Sequence, residues 1–168
     1  YTTDVGQLPH QIKPNSICGQ YLEREHIENI QKLITNVGLK PAKGKSKYQN
    51  KEKYPSGSLV PNNEYLLMAF VKLDERGAGR MSRDEYMDCL LKLWSEIDNH
   101  YAQGDVCVPI LGSGITRIND TSLTQQELLD IMIESYKLST HKIKLPYKLH
   151  IVCKKREGFS LNKIGDNI

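Results

Sequence analysis

The sequence has few of the residues that mark metal centres or disulfide scaffolds. Its four cysteines lie far apart, and none of them belongs to a CxxC or CxxH pair. Neither a zinc site nor a dense disulfide framework is therefore predicted. Cys107 and Cys153 fall in apolar runs, where we expect them to be small buried hydrophobic residues in a reducing cytosol.

Long hydrophobic runs and an excess of one charge are also missing. The longest apolar run, Leu66–Val71, is much too short to cross a bilayer, and no charged-then-apolar leader opens the chain. The 23 Lys and Arg residues nearly balance 20 Asp and Glu residues, which disfavours a dedicated nucleic-acid binder. We therefore expect a soluble, intracellular chain in which any anion site depends on local placement of groups.

Length and composition predict one domain. The chain has 168 residues, of which 39% are hydrophobic, enough for one core and too few for two. It opens at Tyr1 rather than at Met, with a stretch that reads as continuing sequence. We expect a single domain over residues 1–168 that is a fragment of a longer protein.

Hydrophobic periodicity predicts an α/β order of helix, strand pair, helix, strand, helix and strand. Apolar residues from Ile27 to Val37 have helical spacing and stop at Gly38, and two strands flank the turn PNN. The second of these strands, Tyr65–Leu73, is apolar on nearly every residue, which is typical of a central strand covered on both faces. Strands joined through helices should be mostly parallel.

The two later helices carry clear start signals and a core-facing stripe. Ser82 with Glu85 and Thr124 with Glu127 have the spacing of a capping box. The stripes predicted to face the core consist of Tyr86, Leu90, Leu93, Trp94 and Ile97 in the first helix and Leu128, Ile131 and Ser135 in the second. Strands are predicted at DVCVPIL before the second of these helices and at KLHIVC after it.

The stretch VCVPILGSGITRI carries the strongest functional signal. An apolar strand breaks at Leu111 into Gly112, Ser113 and Gly114, and ligands of α/β sheets bind beyond the carboxyl ends of strands. Glycines let backbone amides approach a phosphate without a Cβ in the way. A lone GSG also makes ordinary turns, and the loop fits neither GxxxxGK[ST] nor GxGxxG. Thr116 adds a hydroxyl, and Arg117 adds a countercharge.

A second glycine, Gly19, stands at the predicted start of the first helix. Amides at a helix N-terminus favour anions, although Asn15 or Ser16 at this position is also an ordinary helix cap. Two glycine-bearing loops at the starts of helices are able to clamp one diphosphate between them.

These segments together resemble a macro domain of the divergent kind found in membrane-anchored Thoeris anti-phage effectors. The resemblance covers almost the whole chain through YTTDV, PNSICGQYLE, GSLVPNNEYLLMAFVKLDERG, LLKLWSEI, VCVPILGSGITRI and LHIVCKKREGFSLNKIG. It implies a macro-domain-like three-layer α/β/α sandwich with a mixed, mostly parallel sheet. GSGITR is its most specific part.

The resemblance also implies a function. In such systems a TIR-domain enzyme consumes NAD and releases an ADP-ribose-type signal, such as histidine-ADP-ribose, which the macro domain binds. The implied whole protein has N-terminal transmembrane segments, so that this domain is cytoplasmic and anchored at the cell membrane. It implies neither a cofactor nor a metal. As a hypothesis, ligand binding promotes self-association of the protein.

Family positions are carried over residue by residue onto two loops of this chain. The implied ligand-binding residues are Ser16, Ile17, Cys18 and Gly19 in the early segment and Leu111, Gly112, Ser113, Gly114, Ile115, Thr116 and Arg117 in the late loop. The acidic residue that recognises adenine and the asparagine of hydrolytic members would lie at or before Tyr1. Asp4, the nearest acidic residue, does not match that motif.

Two rival functions remain open. An ADP-ribosyl hydrolase needs a group that activates water, and no histidine lies in a glycine-rich loop; His10, nearest the early loop, is the one to test. Cys18 near a helix start is a candidate lowered-pKa thiol, although packing is favoured. A nucleic-acid module would use the Lys-rich loop at 40–57, for which a solvated surface loop is the favoured interpretation. We rank signal sensor first, hydrolase second and nucleic-acid binder third.

Overall fold

Helices and strands alternate along the chain in the computed structural model, which describes residues 12–25, 27, 29–114, 116–119 and 123–166. The α/β class predicted from the sequence is confirmed. The helices are α1 (Ile17–Arg24), α2 (Ile30–Asn36), α3 (Arg83–His100) and α4 (Gln125–Leu138), with a short 3-10 helix at Leu161–Lys163. The strands are β1 (Leu59–Asn62), β2 (Tyr65–Met68), β3 (Lys72–Leu73), β4 (Gly79–Met81), β5 (Val106–Pro109), β6 (Arg117–Ile118) and β7 (Leu149–Val152).

The described strands pair in both directions. β1 and β2 form an antiparallel hairpin, and β3 lies antiparallel to β4. β4 runs parallel to β6, and β5 runs parallel to β7. In the described ranges these pairs form three separate sheets, β1–β2, β3–β4–β6 and β5–β7, of which only the three-stranded one is mixed. The parallel ladders there do not outnumber the antiparallel ones, whereas one mixed, mostly parallel sheet was predicted.

The prediction of one central strand over Tyr65–Leu73 is wrong. The Ala69 amide and carbonyl bond to Ser58 and Gly57 and so extend the β1–β2 hairpin, whereas Lys72 already pairs with β4. The chain changes partner between Ala69 and Lys72, which splits the apolar run into β2 and β3. The prediction of a strand covered on both faces was based on an unbroken apolar run, and in the structure this run is only partly buried.

The predicted first helix is divided in two. α1 ends at Arg24, and α2 begins after Asn29, whose side chain accepts a hydrogen bond from the Lys32 amide at 3.0 Å. An asparagine that caps the next turn favours an extended backbone at its own position, so the periodic pattern is interrupted there.

The packing of α3 against α4 forms the main core. Both predicted capping boxes are present, and every residue of the two predicted stripes is buried. Trp94 is 1% exposed, and its Nε1 donates to the Ser135 hydroxyl at 2.9 Å. Its prediction as a core residue is confirmed.

The capping box of α4 supplies a testable pH dependence. Hydrogen bonds from the Thr124 amide and hydroxyl hold the pKa of Glu127 below its usual range. A depressed folded pKa stabilises the fold above the unfolded pKa, near 4.3, and this stabilisation is lost as the pH falls through the folded pKa.

We expect Glu127→Gln to lower the free energy of unfolding at pH 7 by about 0.5–1 kcal/mol, a share of the capping energy. At pH 3 the difference from the wild type should shrink, because the stabilisation from the depressed pKa is lost as the pH falls through the folded pKa. Urea unfolding at the two pH values measures this. Glu134→Gln is the control, because Glu134 is half-buried on the same helix, outside the capping box, and pairs with Lys137 at the surface. Equal losses at both pH values in Glu127→Gln would contradict the assignment.

Burial alternates along β5 and corrects one cysteine prediction. Cys107 is exposed, whereas Val108 is buried. Successive side chains of a strand point to opposite faces. The face of β5 that carries Cys107 is therefore exposed, although the strand is apolar in sequence. Cys153 is half-buried, and burial raises the pKa of its thiol. None of the described helices is both long and apolar enough to cross a bilayer.

Candidate functional site

The glycine turn begins where β5 ends, and its first residue is held on both sides. The Tyr86 hydroxyl of α3 donates to the Leu111 carbonyl at 2.9 Å. The Leu111 amide points to the Met132 sulfur of α4 at 3.5 Å. The two core helices therefore fix the point at which the backbone leaves the sheet.

The two glycines of the turn meet different requirements. Gly112 has φ +83°, the left-handed region that favours glycine, while the nearest atoms to an added Cβ stand at ordinary contact distance. Gly114 is exposed, and an added Cβ there would have no described atom within 4 Å. Gly112 is explained by the shape of the turn, whereas nothing described in the protein itself requires glycine at position 114.

The remaining residues of the late loop are placed unevenly. The Ser113 hydroxyl donates back to the Ile110 carbonyl at 3.1 Å, which closes the turn locally. Thr116 is half-buried next to β6, and Ile115 lies outside the described residues. Arg117 is exposed in β6, where its register partner in β4 is Arg80. Arg80 pairs with Asp74 at 2.9 Å, and within the described ranges Arg117 has no acidic partner.

The early segment is a helix start, as the sequence predicts. The Ser16 hydroxyl accepts from the Gly19 amide at 3.0 Å and donates to the Lys13 carbonyl at 2.7 Å, so Ser16 is the N-cap of α1. Ile17 and Cys18 are exposed. The Gly19 amide is thus satisfied within the chain.

Close backbone approach explains Gly19. An added Cβ would lie 2.3 Å from the Lys13 oxygen and 2.8 Å from the Pro14 Cα. We expect Gly19→Ala to destabilise the fold by about 1–3 kcal/mol through overpacking. Gly104→Ala is the matched control, because its nearest atom is 3.4 Å away. Thermal unfolding of both variants tests this, and equal midpoints would mean that the Lys13 segment moves aside without cost.

The described contacts of the two segments involve different neighbours. Tyr21 of α1 accepts a hydrogen bond from Asn62 at 2.6 Å and packs edge-on against Tyr65 at 5.0 Å, so α1 lies on the β1–β2 hairpin. The late loop is held by α3 and α4. A clamp of both loops on one diphosphate therefore stays a prediction.

The catalytic candidates from the sequence receive little support. Neighbouring atoms desolvate the Cys18 thiol and raise its pKa although the residue is exposed overall, the opposite of an activated nucleophile. His10 lies outside the described residues. His150 pairs with Asp105 at 3.2 Å and lowers its pKa, and His141 pairs with Asp98 at 3.1 Å. Among the described residues no group of three His, Cys, Asp or Glu side chains has the geometry of a metal site.

Two shallow depressions lie beside β3 and β4, apart from the glycine turn. The larger, of about 400 Å³, contains Lys72 paired with Glu85 and Arg80 paired with Asp74. Lys72 and Arg80 therefore already have acidic neighbours. Lys47 lines both depressions, and the Lys-rich loop next to it closes through hydrogen bonds from Ala42 to Lys53 and from Ser46 to Lys51.

Sequence reasoning missed the residues that position the late loop. Tyr86 and Met132 lie on helices more than 20 residues away from Leu111. Tyr86 was assigned to the core stripe, and only its buried hydroxyl, which needs a partner, signals a further role.

Comparison with known proteins assigns the family. Residues 1–154 match a family model described as "Thoeris protein ThsA, Macro domain". This chain therefore belongs to the macro domains, and among them to the macro domains of the Thoeris protein ThsA.

One relative is the Thoeris protein ThsA of Bacillus amyloliquefaciens (strain Y2). It is 32% identical to this chain over 164 residues, which cover 90% of this chain and 54% of the relative. The chain thus spans about half the length of this curated relative.

Proposed function

We propose that this domain is the ligand sensor of an anti-phage effector and binds an ADP-ribose-derived nucleotide, such as histidine-ADP-ribose, made by a TIR-domain enzyme that consumes NAD. The observation that carries the proposal is Gly114, an exposed glycine in a turn at the carboxyl end of β5, where an added Cβ has no described atom within 4 Å. A missing side chain that no described protein neighbour requires suits close approach by an external group.

The surroundings of Gly114 support a diphosphate as that group. Gly112 bends the backbone into the left-handed region from which successive amides form an anion-binding concavity. Tyr86 and Met132 hold Leu111, the first residue of the turn, in place, so this end of the turn is preorganised for a ligand. Arg117 follows the turn as an exposed cation without a described acidic partner.

Binding itself is the proposed activity, and catalysis is not. The described histidines named above are engaged with carboxylates on the surface, and the Cys18 thiol has a raised pKa. In the proposed whole protein, ligand-induced ordering of the two loops promotes self-association, and N-terminal transmembrane segments hold this cytoplasmic domain at the cell membrane.

Isothermal titration calorimetry of the chain with ADP-ribose, histidine-ADP-ribose, cyclic ADP-ribose and NAD tests the proposal. We expect tight binding of one ADP-ribose conjugate, recovered intact by chromatography after the titration. Cleavage of the ligand would instead support a hydrolase, and no binding of any of the four would reject the proposed site. Light scattering of the full-length protein with and without the bound ligand tests self-association, which an unchanged mass would refute.

A further inference from the structure

A run of three cations lies at the same sheet edge as the glycine turn. Lys154, Lys155 and Arg156 follow β7, and all three are exposed. β7 runs parallel to β5 in a register that ends at Pro109 opposite Val152, and the Ile110 amide extends it by donating to the Val152 carbonyl at 3.4 Å. Parallel neighbours end at the same edge, with backbones about 4.8 Å apart. The backbone that enters the turn and the backbone that enters the cationic run are therefore neighbours.

The backbone of this run is fixed on the helix that also fixes the turn. The side-chain Nε2 of Gln125 in α4 donates to the Lys154 carbonyl at 2.7 Å, and the side-chain Oε1 of Gln126 accepts from the Ser160 backbone amide at 3.3 Å. Further along, the Gly165 amide donates at 2.8 Å to Asp130, which is 1% exposed. α4 thus anchors the segment on both sides of the cations while its Met132 contacts the turn.

None of the three side chains forms an ion pair within the described part of the chain, although the exposed Glu157 directly follows Arg156. This distinguishes them from Lys72 and Arg80, which already pair with Glu85 and Asp74. Three adjacent unpaired cations repel one another, and an anionic ligand beside them relieves that repulsion. The chain as a whole has a net charge of only +3, so this local density is not a general property of its surface.

We propose that Lys154, Lys155 and Arg156 form the charged half of the anion site, whose amide half is the glycine turn. They neutralise the diphosphate of the ADP-ribose-type ligand while the backbone at Gly112 and Gly114 admits it. This inference rests on the proposed function and specifies how the same site obtains its positive charge.

The test compares two triple variants that each remove three positive charges. In the first, Lys154, Lys155 and Arg156 are all replaced by Gln; in the control, Lys32, Lys40 and Lys43, which are exposed elsewhere, are replaced by Gln. Titration with ADP-ribose at low salt should show at least a tenfold loss of affinity for the first variant and less than a twofold loss for the control. Both should unfold at the wild-type temperature, because the substituted side chains are exposed.

Salt provides a second readout. Raising NaCl from 50 to 500 mM should weaken binding by the wild type and the control, since salt screens exposed charges, but should weaken it much less for the first variant. A Lys154→Arg, Lys155→Arg variant should bind like the wild type, because charge rather than side-chain shape is required.

The outcomes separate the two proposals. If the wild type binds ADP-ribose and the first variant binds as well as the control, the cationic run is not part of the site, and the proposed function stands. If the wild type binds neither ADP-ribose nor its conjugates, the proposed function fails and this inference fails with it.

Discussion

Replacing Gly114 with glutamate should abolish binding of the ADP-ribose-type ligand and leave the fold unchanged. The structure separates these effects, because an added side chain at 114 meets no described atom within 4 Å and the residue needs no left-handed backbone. The new carboxylate would occupy the place proposed for the diphosphate and repel it. We expect at least a hundredfold loss of affinity by calorimetry, with an unfolding free energy within about 0.5 kcal/mol of the wild type.

Two further substitutions show which property of Gly114 matters. Gly114→Ala adds only a methyl group and should reduce affinity less than glutamate does. Gly114→Gln has nearly the size of glutamate without its charge, so the difference between the two measures the electrostatic share of the loss.

Gly112→Ala is the contrasting control within the same turn. Its φ of +83° costs a residue with a Cβ about 1–2 kcal/mol, so this variant should lose stability as well as affinity. Wild-type affinity in Gly114→Glu would show that the turn is only a structural connection.

Short-range signals in the sequence predicted much of this fold. A capping box depends on residues three positions apart, and a core stripe depends on one helical period, so Ser82, Glu85, Thr124 and Glu127 were assigned correctly. The place of the glycine turn after β5 was also predicted, because a buried strand that breaks into glycines marks its own end.

Features that depend on distant partners could not be predicted in this way. The division of Tyr65–Leu73 arises from hydrogen bonds to Gly57 and Ser58, which do not alter the apolar pattern. Exposure of Cys107 depends on what covers each face of the β5–β7 ladder. The sequence of a four-residue apolar strand does not show whether one face or both are covered.

The candidate site has the same limit. Sequence reasoning located the glycines and hydroxyls of the late loop, but not the side chains that hold Leu111. It left open whether the amide at Gly19 faces a ligand or belongs to an ordinary helix cap. The described geometry supports the cap, because Ser16 satisfies the amide and the nearby Lys13 oxygen explains the missing side chain. Sequence reasoning did not connect the cationic run after β7 with the turn, because only the parallel register of β5 and β7 brings the two together.

Replacing Trp94 with alanine should have the largest effect on stability. Trp94 is 1% exposed between α3 and α4, packs edge-on against Tyr136 at 5.2 Å and donates to Ser135. Truncation of a buried aromatic residue costs about 3–5 kcal/mol, a large part of the 5–15 kcal/mol typical of a domain. The Ser135 hydroxyl still donates to the Met132 carbonyl at 2.8 Å, so the loss measures packing and not an orphaned polar group.

Leu91→Ala is the matched control, since Leu91 lies on the same helix but is 37% exposed, and it should cost about 1 kcal/mol or less. Urea unfolding must be followed by circular dichroism, because Trp94 is the only tryptophan in the sequence and its removal abolishes the tryptophan fluorescence. We also expect Trp94→Ala to weaken ligand binding under conditions where it remains folded, because the loosened α4 carries Met132 and Gln125, which hold the turn and the cationic run. Wild-type affinity in a destabilised but folded Trp94→Ala protein would show that the site does not depend on the α3–α4 packing.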